Sequence, residues 1–85
     1  MKLGKITKLT SGNQLFVYFA NNKGRGANNC TLIVVPAGAI RPRYSRDVKN
    51  IIAQTRTGSW RGIVNMSVDV CTRLGITKQD LLQSA

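Results

Sequence analysis

Residues 31–35, Thr-Leu-Ile-Val-Val, form an unbroken aliphatic and β-branched run in this chain of 85 residues. A run of this kind without a charged position is typical of a β-strand that is covered on both faces. The residues Pro-Ala-Gly at 36–38 end the run, because proline and glycine interrupt a regular strand. We therefore expect residues 31–35 to lie at the centre of the core.

Two runs that precede this strand predict an antiparallel hairpin. Residues 5–9 (KITKL) and 15–19 (LFVYF) flank the residues Thr-Ser-Gly-Asn at 10–13, which are typical of a turn. The hairpin would bring two strands to the central one.

Alternation along the second strand of the hairpin gives it two faces. Leu15, Val17 and Phe19 share one face, and Phe16 and Tyr18 share the other. The rings of the second face are either exposed, where they could stack on a ligand, or covered by a helix or a second subunit. The sequence leaves both arrangements open.

The segment between the hairpin and the central strand is polar and rich in glycine. Residues 21–29 (NNKGRGANN) place Gly24 and Gly26 around Arg25, with Lys23 before them. Because glycine lets the backbone bend, a basic loop of this kind can fold around a phosphate backbone. It lacks the ending of a nucleotide-binding P-loop, and a simple solvated loop is the alternative.

Positive charge is concentrated in residues 41–61 (RPRYSRDVKNIIAQTRTGSWR), where six Lys and Arg face the single acid Asp47, a net charge of +5. Tyr44 and Trp60 stand beside arginines in this stretch. Cations bind a phosphate backbone and aromatic rings stack on bases. Trp60 could equally be a core residue, since large aromatic side chains dominate small cores.

The same stretch predicts extended chain followed by one short helix. Pro42 removes a backbone donor, so residues 40–44 should be extended and exposed. Ser45 can cap a helix, and Val48, Ile51 and Ile52 recur at helical spacing. The expected elements are the helix at residues 46–54, a polar connection at 55–59 and an extended segment at 60–66.

Two further helices are predicted near the C-terminus. Ser67 is the N-cap of the first, and Gly75 supplies its left-handed end. Thr77 and Asp80 form a capping box for the second. The sequence thus predicts an α+β fold in one domain, residues 1–85, with an N-terminal antiparallel sheet and short helices near 46–54, 68–74 and 78–84.

Residues 61–82 (RGIVNMSVDVCTRLGITKQDLL) resemble the strand, short helix, turn and acidic step of AbrB-type swapped-hairpin DNA-binding domains. Residues 62–64 (GIV) match that family's strand, residues 74–76 (LGI) match its turn, and Asp80 matches its acid. The resemblance implies a dimer with interleaved hairpins that binds DNA through basic residues near the strands. The departures are serine at the usual proline position (Ser67) and glutamine in place of the glycine before the acid (Gln79).

The same residues fit two other arrangements. One is a helix-turn-helix with Cys71 as its small residue and Gly75 in its turn. The other is a pair of helices that pack apolar residues on the sheet, namely Val70, Leu74, Leu81 and Leu82. The net charge of residues 62–85 is zero, whereas a helix that reads DNA normally carries positive charge.

The chain as a whole is strongly basic, with 13 Lys and Arg against 3 acids and a formal net charge of +10. Self-repulsion of this size destabilises a compact monomer unless a polyanion supplies counter-charge. We favour nucleic acid over an anionic membrane, which would require a basic amphipathic helix. Without a secretory signal or an apolar membrane span, the expected location is the cytoplasm or a virion assembled there.

The composition disfavours catalysis and metal binding. The chain has no His and no Glu, and Asp47, Asp69 and Asp80 fall in first turns of predicted helices, where the helix dipole explains them. Cys30 and Cys71 lack a His to activate them, and we expect them as reduced, buried hydrophobic residues rather than a disulfide. We therefore expect no enzyme activity, no cofactor and no metal.

These observations predict a small basic nucleic-acid-binding protein, with DNA favoured over RNA. Single-stranded and duplex ligands are not distinguished, since phosphate contacts carry no sequence information. The alternative is a structural or interaction protein, such as a virion component or a small inhibitor, that docks on an acidic partner. We also expect a homodimer that buries the face of Phe16 and Tyr18. The predicted nucleic-acid-binding residues are Lys23, Arg25, Arg41, Arg43, Tyr44, Arg46, Lys49, Arg56, Trp60 and Arg61, with Tyr18 as a further stacking candidate.

Overall fold

The computed structural model describes residues 2–20, 30–57 and 67–84. Within them the fold is α+β: an antiparallel sheet with helices packed on one face. Neither helix of this described part is long and apolar enough to cross a membrane. The elements are β1 Lys2–Lys8, β2 Gln14–Phe19, β3 Cys30–Val35, a 3-10 turn Ser45–Asp47, β4 Ala53–Thr57, α1 Val68–Leu74 and α2 Lys78–Ser84.

Strands β1 and β2 form the hairpin that the sequence predicts. The N–H of Leu9 donates to the carbonyl of Asn13 at 2.8 Å, and the carbonyl of Leu9 accepts from Gly12 at 3.0 Å. Gly12 has a φ of 94°, which glycine adopts without a side-chain clash. These bonds close the turn and fix the register, in which Lys8 pairs with Gln14.

The described strands lie in chain order, β1-β2-β3-β4, each antiparallel to the next. Every residue of β3 is buried, which confirms that residues 31–35 form the centre of the core. β3 pairs with β2 along one edge and with β4 along the other.

Alternation along the strands divides the apolar residues between two cores. The first lies between the sheet and the helices and includes Leu15, Val17, Leu32, Val34, Leu74 and Leu81. Cys30 and Cys71 belong to it as buried thiols rather than as a disulfide, which confirms their predicted packing role. The second core lies on the opposite face and contains Phe16, Tyr18, Ile33, Val35 and Val48.

Residues 36–52, here called the covering segment, lie over the second core. Val48 is buried in that core, and Ala39 packs against it. Phe16 and Tyr18 are both 0% exposed, and their rings meet edge to face with centroids 6.4 Å apart. The stacking role predicted for Tyr18 is therefore wrong, because its ring is not accessible to a ligand. The exposed aromatic face on which the expected homodimer rests does not exist, and the homodimer itself stays a prediction.

The predicted helix at residues 46–54 is also wrong. The covering segment has one 3-10 turn, and Ser45 lies inside that turn rather than capping it. Val48 is extended (φ −70°, ψ 132°) and Asn50 is left-handed (φ 60°), so helical geometry stops there. The chain then becomes β4, because the outer edge of the buried strand β3 needs hydrogen-bond partners that outweigh a weak local helical preference. The polar connection expected from residue 55 is strand up to Thr57.

Helices α1 and α2 confirm the predicted C-terminal helices. Ser67 caps α1 by accepting a hydrogen bond from the N–H of Val70 at 3.3 Å, and Gly75 ends it with a φ of 72°. Thr77 and Asp80 form the predicted capping box, since the N–H of Asp80 donates to the Thr77 hydroxyl at 3.1 Å. Leu74 and Leu81 are buried against the sheet, as expected for small packing helices, but Leu82 is 59% exposed.

Several predictions fall on residues outside the described ranges. They concern the basic loop at residues 21–29 and the extended segment at residues 60–66, which includes the GIV strand of the AbrB-type resemblance. They stay predictions.

Candidate nucleic-acid interface

Five of the predicted site residues share one side of the sheet. Four belong to the covering segment and the fifth to β4, and all five side chains are exposed. The helices pack on the opposite face. We call this set the basic surface: Arg41, Arg43, Arg46, Lys49 and Arg56.

The register of the sheet places Arg56 on this side. Leu3 pairs with Tyr18, Tyr18 with Thr31, and Thr31 with Arg56, so these four residues form one row across the sheet. Directly paired residues share a face, and Tyr18 belongs to the core beneath the covering segment. Arg56 therefore lies three strand spacings, about 14 Å, from Leu3 at the other edge.

Arg43 lies beyond Leu3, and Tyr44 lies beyond Lys2, at the β1 edge of the sheet. The N–H of Leu3 donates to the carbonyl of Arg43 at 2.9 Å, and Lys2 forms an isolated antiparallel bridge with Tyr44. Residues 43 and 44 thus pair with the N-terminal part of β1 and cover its outer edge there. The row across the sheet thus has an arginine near each end.

The covering segment is attached to the sheet at further points. The Tyr18 hydroxyl donates a 2.7 Å hydrogen bond to the carbonyl of Pro42. The N–H of Ile52 donates to the carbonyl of Val34 at 2.8 Å, and Val48 is buried between these two points. Because its backbone is held in this way, the segment fixes where its cationic side chains leave the chain, which lowers the entropic cost of binding.

Tyr44 holds two of the arginines together. The guanidinium carbon of Arg46 lies 5.2 Å from the centre of the Tyr44 ring, and that of Arg43 lies 5.7 Å from it. Both distances are within the range of a cation–π contact. Two like charges on one ring repel each other, so an anion that bridges them would be favoured.

The charges of the two sides of the sheet differ. The basic surface has one acid beside it, Asp47, on the covering segment. On the helices, Arg73 and Lys78 are balanced by Asp69 and Asp80. Lys2 and Lys5 also lie on the helix side, since they pair with Phe19 and Val17 of the first core. The net positive charge of the described residues is therefore larger on the side of the covering segment.

Asp47 also acts on the sheet beneath it. Burial raises the pKa of the Tyr18 phenol, and the negative charge of Asp47 raises it further. The phenol therefore stays protonated and keeps donating to Pro42 at neutral pH.

Lys8 is a further cation on this side, and it is not among the predicted site residues. Lys8 pairs with Gln14, which pairs with Val35 of the second core, so Lys8 shares the face of the covering segment. A bulge between Leu3 and Lys5 shifts the alternation of β1. The sequence signal for this bulge is Gly4, but glycine alone does not specify one.

Four predicted site residues lie outside the described ranges, so the structure does not say whether they join the basic surface. They are Lys23, Arg25, Trp60 and Arg61.

Two further features bear on metal binding and thiol chemistry in the described residues. Within residues 2–20, 30–57 and 67–84, no three metal-binding side chains come together. Burial raises the pKa of the Cys30 thiol, which makes it a weak nucleophile. The exposed guanidinium groups of the basic surface are hydrogen-bond donors whose planar geometry matches phosphate oxygens.

Comparison of the chain with models of protein families, with curated protein sequences and with solved structures finds no significant match. The AbrB-type resemblance therefore stays a prediction that rests on the residues quoted for it.

Proposed function

We propose that this protein binds nucleic acid, without catalysis, through phosphate contacts made by the basic surface. The observation that carries the proposal is the segregation of charge across the sheet. Among the described residues, six cations (the basic surface and Lys8) and one acid lie on the side of the covering segment, a net charge of +5. The other side has four cations and two acids, a net charge of +2. Clustering of basic residues on one face of a folded domain is typical of a protein that binds a polyanion.

Arginines dominate this surface, and their chemistry favours phosphate. A guanidinium group donates hydrogen bonds in a planar fork that matches two phosphate oxygens, which an ammonium group cannot do. Four of the five cations are arginines, and only Lys49 is not. Arg43 and Arg46, joined by the Tyr44 ring, form the part of the surface that we assign to the tightest phosphate contact.

In this proposal the Tyr44 ring positions Arg43 and Arg46 rather than stacking on a base. Its ring already carries two guanidinium contacts, so a base could lie on it only by displacing an arginine. Base stacking is left to Trp60, whose role stays a prediction.

A second function is favoured by the apolar groups that accompany the charges. Ile40, Ile51 and Ile52 of the covering segment are 86%, 40% and 53% exposed. An acidic protein with apolar side chains among its carboxylates could cover both the exposed isoleucines and the cations of the covering segment. This second function is docking on an acidic partner protein as a structural or inhibitory subunit.

Salt-dependent binding tests the first function. We would measure fluorescence anisotropy of single-stranded DNA, duplex DNA and RNA at several salt concentrations. Release of counterions makes log K fall linearly with log salt, with a slope near 0.7 per phosphate on single strands and 0.9 on duplex DNA. We expect at least micromolar binding of DNA at low salt and a slope equivalent to about three or more phosphates.

The same titrations separate the two functions. Failure of all three nucleic acids to bind at low salt would contradict the first function and favour the acidic protein partner. Size-exclusion chromatography with light scattering, on the free protein, would test the homodimer in parallel.

A further inference from the structure

Residues of the covering segment line an open cleft with a volume of about 540 Å³. This volume is within the range of small-ligand sites, which is roughly 300–1,000 Å³. The cleft combines apolar, cationic and hydrogen-bonding groups. Its lining residues are Ala39, Ile40, Pro42, Arg46, Asp47, Val48, Lys49 and Asn50.

Local backbone geometry creates this cleft. The chain passes through the 3-10 turn, Val48 then packs into the second core, and Asn50 adopts a left-handed conformation with a φ of 60°. Asparagine tolerates this conformation better than most residues. The hydrogen bond from Tyr18 to Pro42 attaches one wall to the sheet. The cleft is therefore preformed.

We propose that the cleft holds one unstacked base of a bound single strand and prefers a base that carries an exocyclic amino group. This inference rests on the proposed function. Arg46 and Lys49 at the cleft provide the positive charge that the phosphates next to such a base require. Ile40 and Pro42 provide apolar surface for the flat faces of the ring.

The preference for an amino group follows from Asp47. A carboxylate only accepts hydrogen bonds, and it suits the amino group of cytosine. Thymine offers a carbonyl oxygen at the same position, which the carboxylate would repel. The side-chain amide of Asn50, also in the lining, both donates and accepts and can complete the contact with the edge of the base. A base within a duplex hides this edge, so the cleft would act on single strands.

The test compares oligo(dC) with oligo(dT) of equal length by anisotropy at pH 7.5. The two strands have the same backbone charge, so their affinity ratio reports the base alone. We expect oligo(dC) to bind roughly three- to tenfold more tightly. In Asp47→Asn the ratio should fall to about one, because an amide can also donate to the carbonyl oxygen of thymine and no longer repels it, so oligo(dT) should bind more tightly.

Asp69→Asn is the matched control, since it makes the same change of charge at an exposed position on α1. It should keep the ratio of the unmodified protein. A second pair is Ile40→Ser, in the lining, against Ile52→Ser, which is exposed outside it. Ile40→Ser should weaken binding of oligo(dC) severalfold and leave binding of a fully abasic strand unchanged, and Ile52→Ser should change neither.

The outcomes separate this inference from the proposed function. Binding of both strands with a ratio of one, or a ratio that survives Asp47→Asn, would overturn the base-binding cleft and leave phosphate binding intact. Absence of binding by every strand would overturn both.

Discussion

The hydroxyl of Tyr18, at the centre of the sheet, donates a 2.7 Å hydrogen bond to the carbonyl of Pro42 in the covering segment. Tyr18 is fully buried, so this bond lies under the segment that carries Arg41, Arg43 and Arg46. It joins the hydrophobic core directly to the basic surface. Loss of the bond should therefore affect both stability and binding.

We expect Tyr18→Phe to lower the free energy of unfolding by about 0.5–1.5 kcal/mol, because the ring stays and one buried hydrogen bond is lost. Urea denaturation followed by circular dichroism measures this. Tyr44→Phe, which removes a hydroxyl from the half-exposed ring, is the control and should change stability by less than about 0.5 kcal/mol. Equal effects of the two changes would contradict the anchoring role of Tyr18.

The pKa of Tyr18 adds a pH dependence to this bond. Since burial and Asp47 raise this pKa above its ordinary value of 10.0, the phenol stays protonated in the folded state while it ionises in the unfolded chain. The stabilisation is complete below pH 10 and is lost as the pH rises above it. The unmodified protein should therefore lose more stability than Tyr18→Phe between pH 9 and pH 11, and parallel losses would exclude this linkage.

Asp80 ties the C-terminal helix to the first turn of the sheet. Its carboxylate accepts hydrogen bonds from the backbone N–H of Thr10 at 3.2 Å, from the Thr10 hydroxyl at 3.2 Å and from the N–H of Thr77 at 3.0 Å. The side chain is fully buried. Burial alone would raise the pKa of this carboxyl, but the hydrogen bonds from Thr77 and Thr10 outweigh it and lower the pKa.

We expect Asp80→Asn to lower the free energy of unfolding by about 1–3 kcal/mol at pH 7, because an amide cannot accept all these bonds. A lowered pKa stabilises the fold above the unfolded pKa, near 4, and this stabilisation is lost as the pH falls through the folded value. Urea denaturation from pH 2 to pH 7 should therefore show a smaller acid-dependent loss for Asp80→Asn than for the unmodified protein. Asp69→Asn is the exposed control, and an acid-dependent loss that persists in Asp80→Asn would contradict the assignment.

Gly4 lies at the bulge of β1, directly against the ring of Phe19. A β-carbon at this position would overlap the Cδ2 and Cε2 atoms of that ring. We expect Gly4→Ala to lower the free energy of unfolding by about 1–3 kcal/mol through overpacking. The double variant Gly4→Ala with Phe19→Leu should be less destabilised than the sum of the single variants, and strict additivity in thermal melts would show that the contact does not matter.

Tyr44 should act through the arginines that it holds. Tyr44→Leu removes two cation–π contacts, each worth about 0.5–1 kcal/mol, and should weaken binding of single-stranded DNA severalfold. Tyr44→Phe keeps the ring and should bind like the unmodified protein. A fully abasic strand should show the same loss with Tyr44→Leu, because positioning of the arginines does not involve bases. If only strands with bases showed the loss, the ring would be a stacking platform instead.

The sequence predicted those parts of the fold that depend on strong local signals. Each of these parts has a local physical cause that tertiary contacts reinforce. They are the strand at residues 31–35, the turn at Gly12, the helix caps Ser67 and Thr77, and the helix end at Gly75. The covering segment was mispredicted because Val48, Ile51 and Ile52 have helical spacing, yet only Val48 is buried. Their arrangement depends on the need of β3 for a partner strand, which no local pattern reveals.

The candidate site was predictable as a composition but not as a geometry. The charge of residues 41–61 identified the cations, and the adjacency of Arg43 and Tyr44 was visible in the sequence. The cleft was not, since it depends on the left-handed Asn50 and on the burial of Tyr18 beneath Pro42. Neither the left-handed conformation of Asn50 nor the burial of Tyr18 can be predicted unless the covering segment is already known to lie on the sheet.

In the proposed function, the side of the covering segment, rather than total charge, determines binding of nucleic acid. The direct test compares Arg43→Gln/Arg46→Gln with Arg73→Gln/Lys78→Gln, since each pair lowers the formal net charge from +10 to +8. Single-stranded DNA would be titrated against both variants at several salt concentrations. We predict that the first pair weakens binding at least tenfold and lowers the salt slope by about 1.4, two phosphates' worth, while the second pair changes both only slightly. Equal effects of the two pairs would contradict the account.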